Sequence, residues 1–171
     1  VRSVDGSNYY GGYGMRSSSN GNVSLHVGSG DNDILIAGST YGAYQSTITV
    51  DGGNNHVTLL GGINEIVKHA DGSVTLSEAT GGGIGLYGGH LTTGDGDDTI
   101  LIAGGLTGAK NTTIDAGNGD NSIHVIGGSG GALDTVTLRT GSGEDHVTLE
   151  GNVKGGRIDL GDGDDTLSVN G

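Results

Sequence analysis

The feature that most constrains this chain is a short glycine-acid turn that returns at nearly even intervals. Five copies fit Gly-x-Gly-[Asp/Glu]-[Asp/Asn] without a gap: Gly28-Ser29-Gly30-Asp31-Asn32, Gly94-Asp95-Gly96-Asp97-Asp98, Gly117-Asn118-Gly119-Asp120-Asn121, Gly141-Ser142-Gly143-Glu144-Asp145 and Gly161-Asp162-Gly163-Asp164-Asp165. Looser copies are read at Asp51-Gly52-Gly53-Asn54-Asn55, which lacks the second Gly in register, and near Asp71, where the motif is almost lost. The resulting period of 20 to 24 residues suits one coil of a solenoid and is far too short for a domain.

Each turn is followed by a short run of alternating aliphatic residues. These predict strands over 34–37, 57–60, 74–77, 100–103, 123–126, 147–150 and 167–170. Alternation puts Ile34 and Ile36, Val57 and Leu59, Val74 and Leu76, Ile100 and Ile102, Ile123 and Val125, Val147 and Leu149, and Leu167 and Val169 on one face. A second strand is expected before each turn, over 23–27, 47–50, 65–69, 90–93, 112–116, 135–139 and 157–160. The remaining stretches (38–45, 61–64, 79–89, 104–111, 127–133 and 151–156) read as longer, variable, glycine-rich connections. All six Tyr fall outside the expected strands, and Tyr9, Tyr10, Tyr13, Tyr41, Tyr44 and Tyr87 are candidates for packing along that loop edge.

Two strands per coil, stacked coil on coil, make an all-β fold, a parallel β-solenoid of about seven coils. The array is expected over residues 20–171, behind an irregular leader or cap over 1–19. Composition agrees. With 39 Gly in 171 residues, long helices are disfavoured, because each interior Gly costs roughly 1 kcal/mol relative to Ala. Zero Pro and no Gly-X-Y period exclude collagen, and clustering of β-branched residues argues against disorder.

Charge narrows the partners. Seven Lys plus Arg against twenty Asp plus Glu, for a net charge of −13, oppose nucleic-acid and anionic-membrane binding and favour cations. No run of apolar residues is long enough to span a membrane. No Ser-His-Asp or paired-carboxylate set stands apart from the repeat, so no enzyme is expected. Stacked coils bring acidic side chains of neighbouring turns about 5 Å apart, where like charges repel. A bound cation converts that repulsion into cross-linking. Carboxylates and backbone carbonyls are hard oxygen ligands that suit Ca²⁺. With no Cys and no His cluster in the turns, zinc is a poor fit.

Thr93-Gly94-Asp95-Gly96-Asp97-Asp98-Thr99-Ile100-Leu101 resembles the calcium-binding nonapeptide of the RTX repeat family, Gly-Gly-x-Gly-x-Asp-x-U-x, with Thr for the first Gly. Asp98, Asp145 and Asp165 match its Asp, while Asn32, Asn55 and Asn121 stand there in other copies. Only one turn per coil matches, which is similar to the one-sided, longer-repeat solenoids of giant bacterial adhesins, ice-binding ones included. The resemblance implies folding driven by extracellular calcium, secretion to the bacterial surface or beyond, and a structural role in adhesion or matrix. It also implies the ligand set: Asp95, Asp97, Asp98, Glu144, Asp145, Asp162, Asp164 and Asp165 at full strength, Asp31, Asn32, Asp120 and Asn121 at weaker sites, and an empty rung near Asp71. A second expectation is a filament subunit whose copies stack end to end or along the Tyr-bearing edge, since residues 161–171 stop within a coil without a polar cap. Ice binding is a minor expectation, because the outward rows mix Thr with Leu and His.

Overall fold

A computed structural model describes residues 7–8, 14–15, 22–68, 74–78 and 82–171, with only the backbone of 7–8, 64–68 and 74–78 described. The described chain is all β and winds as a parallel solenoid of about six coils with two sheets. The first sheet stacks Asp33–Gly38, His56–Gly61, Thr99–Gly104, Ser122–Gly127, His146–Glu150 and Thr166–Asn170 in parallel register. Ile34, Ile36, Val57, Leu59, Ile100, Ile102, Ile123, Val125, Val147 and Leu149 from this sheet are each at most 1% exposed, as alternation requires. Leu167 and Val169 occupy the same inward rows on the Thr166–Asn170 strand and are 43% and 50% exposed.

The second sheet carries Val23–Val27, Ser46–Val50, His90–Thr92, Thr113–Asp115 and the later parts of Gly131–Arg139 and Val153–Asp159. Its inward residues Leu25, Ile48, Val50, Leu91, Ile114, Ala116, Val136 and Leu138 meet the first sheet's row in one continuous core.

Two expectations fail here. The supposed loops contain strands: Tyr41–Tyr44, Ile84–Tyr87, Thr107–Lys110 and the first part of Gly131–Arg139 pair in parallel and extend the second sheet. Ala43, Leu86, Ala109 and Leu133, in register on those strands, add a third buried row. Consequently Tyr41, Tyr44 and Tyr87 lie within strands; Tyr9, Tyr10 and Tyr13 lie outside the described residues. The sequence hid these strands because alternation there runs through Gly42, Gly85 and Gly108, which read as loop. A Cβ at Gly85 would come 2.6 Å from Ile102 Cγ2, and one at Gly108 would come 2.5 Å from Val125 Cγ1, so the close approach of the two sheets selects glycine.

The second failure concerns the coil count. Residues expected as a full coil instead form an antiparallel hairpin, Ile63–Lys68 against Val74–Glu78. His56–Gly61 pairs directly with Thr99–Gly104, so no rung lies between them. The hairpin leaves and rejoins the coil through Gly62 and Gly83, whose backbones touch. Gly62 N–H donates to Gly38 O of the coil before (2.9 Å), and Gly83 O accepts from Leu106 N–H of the coil after (2.9 Å). The coil therefore closes as though the insertion were absent. Asp71 and its degenerate turn lie outside the described residues. The insertion happens to be close to one repeat long, which is why an even period appeared to run through it.

Where the second sheet bends, each coil places one residue in the left-handed region: Gln45 (φ 45°), Gly88 (63°), Asn111 (50°), Thr135 (58°) and Gly155 (68°). They follow the in-register column Tyr44, Tyr87, Lys110, Asp134 and Lys154. From the leader, Ser7–Asn8 adds a parallel strand beside Asp33 and Ile34, and buried Met15 bridges to Ala43.

Candidate metal centre

The acidic turns stack along one edge, and their second glycines share one conformation. Gly30, Gly53, Gly96, Gly119, Gly143 and Gly163 all have φ between 116° and 144°. Gly53 is thus in register after all; what its turn lacks is the first glycine, replaced by Asp51. That is tolerated because positive φ at the first position begins only at Gly94 (78°) and continues through Gly117, Gly141 and Gly161.

The last two residues of each turn make two ladders of opposite sense. In the outer ladder, each side chain accepts a backbone N–H from the following coil. Asp31 Oδ1 accepts from Asn54 (2.9 Å), Asn54 Oδ1 from Asp97 (3.0 Å), Asp97 Oδ1 from Asp120 (2.9 Å) and Asp120 Oδ1 from Glu144 (2.8 Å). These residues are exposed, as are Asp95, Asp162 and Asp164. Asp95 accepts from the Asn118 side chain at 2.7 Å.

The inner ladder runs Asn32, Asn55, Asp98, Asn121, Asp145, Asp165, and here each Oδ1 accepts from the preceding coil. Asn55 Oδ1 takes the Asn32 N–H (3.2 Å), Asp98 Oδ1 the Asn55 N–H (2.8 Å), Asn121 Oδ1 the Asp98 N–H (3.1 Å), Asp145 Oδ1 the Asn121 N–H (2.9 Å) and Asp165 Oδ1 the Asp145 N–H (3.0 Å). Asn55, Asp98, Asn121 and Asp145 are at most 2% exposed.

With Oδ1 fixed against an N–H, the other side-chain atom points into a cage of backbone carbonyls. At Asn55, Nδ2 donates to Gly53 O (2.7 Å), Thr93 O (3.2 Å) and Asp51 O (3.3 Å). At Asn121, it donates to Gly119 O (2.9 Å), Thr140 O (3.3 Å) and Gly117 O (3.4 Å). At Asn32, it reaches Gly30 O (2.5 Å) and Gly28 O (3.1 Å). An Asp has no donor for this place. Oδ2 of Asp98 and Oδ2 of Asp145 are buried and have no hydrogen-bond partner among the described residues. A buried carboxylate oxygen left unpaired costs several kcal/mol unless something positive meets it.

Burial raises the pKa of Asp98 above its usual value, outweighing the opposite pull of the nearby Thr93 hydroxyl dipole and of the hydrogen bonds from the Asn55 amides. The Thr93 hydroxyl lies between two acceptors, and its geometry gives the proton to Ala116 O at 3.1 Å. Thr140 likewise donates to Leu160 O at 2.6 Å. Neither Thr was singled out as a site residue by sequence, although Thr93 opens the nonapeptide-like stretch.

The donor set fits a hard cation. The Asn55 nitrogen stands 2.7 Å and 3.2 Å from carbonyl oxygens, and an Asp oxygen in that place would be spaced from them as neighbouring ligands are around an ion bound at about 2.4 Å. Among the described residues, no three His, Cys, Asp or Glu side chains converge on a point, so an ion here takes most of its ligands from the backbone. The ladder also separates its buried charges. Carboxylates on adjacent coils, about 4.8 Å apart, would repel by roughly 3–4 kcal/mol at an effective dielectric of about 20, and an intervening Asn halves this. Asp98 lies between Asn55 and Asn121; Asp145 lies between Asn121 and the less buried Asp165.

The fold and this edge define a parallel β-solenoid with an internal Asn/Asp ladder. In comparisons with known proteins, the chain matches no family model, no curated protein and no solved structure.

Proposed function

We propose that this chain is a calcium-stabilised structural segment, in which ions along the acidic edge tie neighbouring coils together. The observation that carries this reading is the pair of buried, unpartnered carboxylate oxygens on Asp98 and Asp145, each in a turn where the equivalent Asn donates into backbone carbonyls. The resemblance of Thr93 to Leu101 to the RTX nonapeptide supports calcium as the ion. It also supports a place in a secreted bacterial surface, adhesin or matrix protein, where extracellular calcium would be constantly available.

An ion bound only by the folded chain stabilises it by linkage, by about 2.7 kcal/mol at a concentration one hundred times the dissociation constant. Isothermal titration of the chelator-treated chain with CaCl₂ is expected to show saturable binding, with a matching rise in the thermal midpoint followed by circular dichroism. No heat and an unchanged midpoint would sink the reading.

A further inference from the structure

The inner ladder uses two residues at one structural position, and they solve the same electrostatic problem in different ways. At Asn32, Asn55 and Asn121 the side-chain amide supplies the positive end that the carbonyl cage needs. At Asp98 and Asp145 no donor among the described residues does so. The orientation of the Asn amides is not ambiguous, because the oxygen side of Asn55 and of Asn121 faces a backbone N–H of the preceding coil.

We propose that this ladder writes its own ion occupancy: Asp98 and Asp145 take a divalent cation, and Asn32, Asn55 and Asn121 are built-in replacements for one. The inference rests on the calcium reading above and goes beyond it, assigning which coils are loaded and which are never loaded. The side chain immediately before each turn follows the same pattern. In the Asp98 and Asp145 coils it is Thr93 and Thr140, both fully buried, each offering a further hydroxyl oxygen. In the three Asn coils the corresponding residue is Val27, Val50 or Ala116, which offers none. Ions are therefore spaced along the inner edge with an ion-free coil between Asp98 and Asp145. Neighbouring buried sites never hold adjacent divalent charges, and coils 32, 55 and 121 stay closed when calcium is scarce.

The test exchanges the two solutions in the 171-residue chain. Asp98→Asn and Asp145→Asn, singly and together, are melted in EDTA and in excess CaCl₂, and their calcium stoichiometry is read by titration. Each exchange is expected to remove one bound ion and raise the midpoint in EDTA. The double variant is expected to lose most of its calcium-dependent rise while remaining folded. The reverse exchange, Asn121→Asp, is expected to lower the midpoint in EDTA, add a bound ion and enlarge the rise with calcium. It keeps the proposal testable should the first variants fold poorly. A double variant that keeps the full stoichiometry and rise would overturn the ladder while leaving calcium stabilisation intact, placing the ions on the exposed outer row. An Asn121→Asp chain that binds no additional ion would also overturn it. No response in the unaltered chain would remove both proposals together.

Discussion

The two edges of the solenoid both require left-handed backbone at a fixed position in every coil, yet only one of them demands glycine. On the acidic edge, a Cβ at Gly96 would sit 2.5 Å from Gly53 O, and one at Gly119 would sit 2.5 Å from the Gly96 carbonyl carbon. There the previous coil's backbone occupies the space a side chain needs. On the bend edge, a Cβ at Gly155 would meet nothing closer than Thr135 Oγ1 at 3.9 Å, and one at Gly88 only Gln45 Cγ at 3.4 Å. The same sign of φ is accordingly filled by Gln45, Gly88, Asn111, Thr135 and Gly155. Glycine is written into the sequence by the close approach of backbones, and torsion alone leaves the position free to vary.

The largest effect that would break this comparison is a methyl group on the acidic edge. Gly119→Ala adds torsional strain at φ 116° to a backbone clash, and is expected to cost upwards of about 4 kcal/mol, or roughly 8–16 °C in thermal midpoint. A loss below about 1 kcal/mol would mean that the coils are not packed this closely. Gly155→Ala, with open space around it, is expected to cost only about 1–2 kcal/mol from torsion. Working in the opposite direction, Thr135→Asn copies Asn111 of the preceding coil and relieves a β-branched residue held at φ 58°, so it is expected to stabilise by about 0.5–1 kcal/mol. A lower midpoint for this variant would contradict the strain assignment.

The smallest effect belongs to the ion pair at the bend. Lys110 Nζ lies 2.6 Å from Asp134 Oδ2. Their hydrogen bond holds the Asp134 carboxyl below its ordinary value of 3.8 and raises Lys110 above 10.5. Because the Asp134 pKa is depressed by folding, its contribution is fully present above the ordinary value and disappears as pH falls through the lower folded one. For Lys110 the contribution holds below the ordinary value and is lost as pH rises through the raised one. The cost of Lys110→Ala, followed as thermal midpoint against pH, is thus small and flat across neutral pH and vanishes at the acid end. A cost that grows on acidification would reverse the assignment.

This contrast also explains what could be read from the sequence. The acidic edge was legible because steric demand repeats Gly-x-Gly and places Asn or Asp at one position. The first sheet was legible because its inward row is Ile, Leu or Val in every coil. The bend strands were not, because their inward row is Ala43, Leu86, Ala109 and Leu133, half of it only alanine, and three of the four follow a glycine that reads as loop. The hairpin was missed because Val74 and Leu76 have the spacing of a rung, and pairing partner is a long-range property. Of the candidate ligands, sequence could place Asp98, Asn121 and Asp145 in one column. Which atom of each lacks a partner depends on the N–H of the neighbouring coil, and that appears only once the coils are stacked. Stacking of Tyr44 on Tyr87 (5.3 Å between centroids, 3° between planes), with Tyr41 tilted against both, likewise needed the strand register.

The central claim is that the buried Asp positions, and not the buried Asn positions, require a cation. Crystals grown in calcium, with anomalous scattering collected at long wavelength, would test it most directly. The account predicts anomalous density against Oδ2 of Asp98 and Oδ2 of Asp145, and none against Nδ2 of Asn55 or Asn121. Density confined to the exposed row of Asp97, Asp120 and Glu144, or equal density at the Asn and Asp rungs, would contradict it.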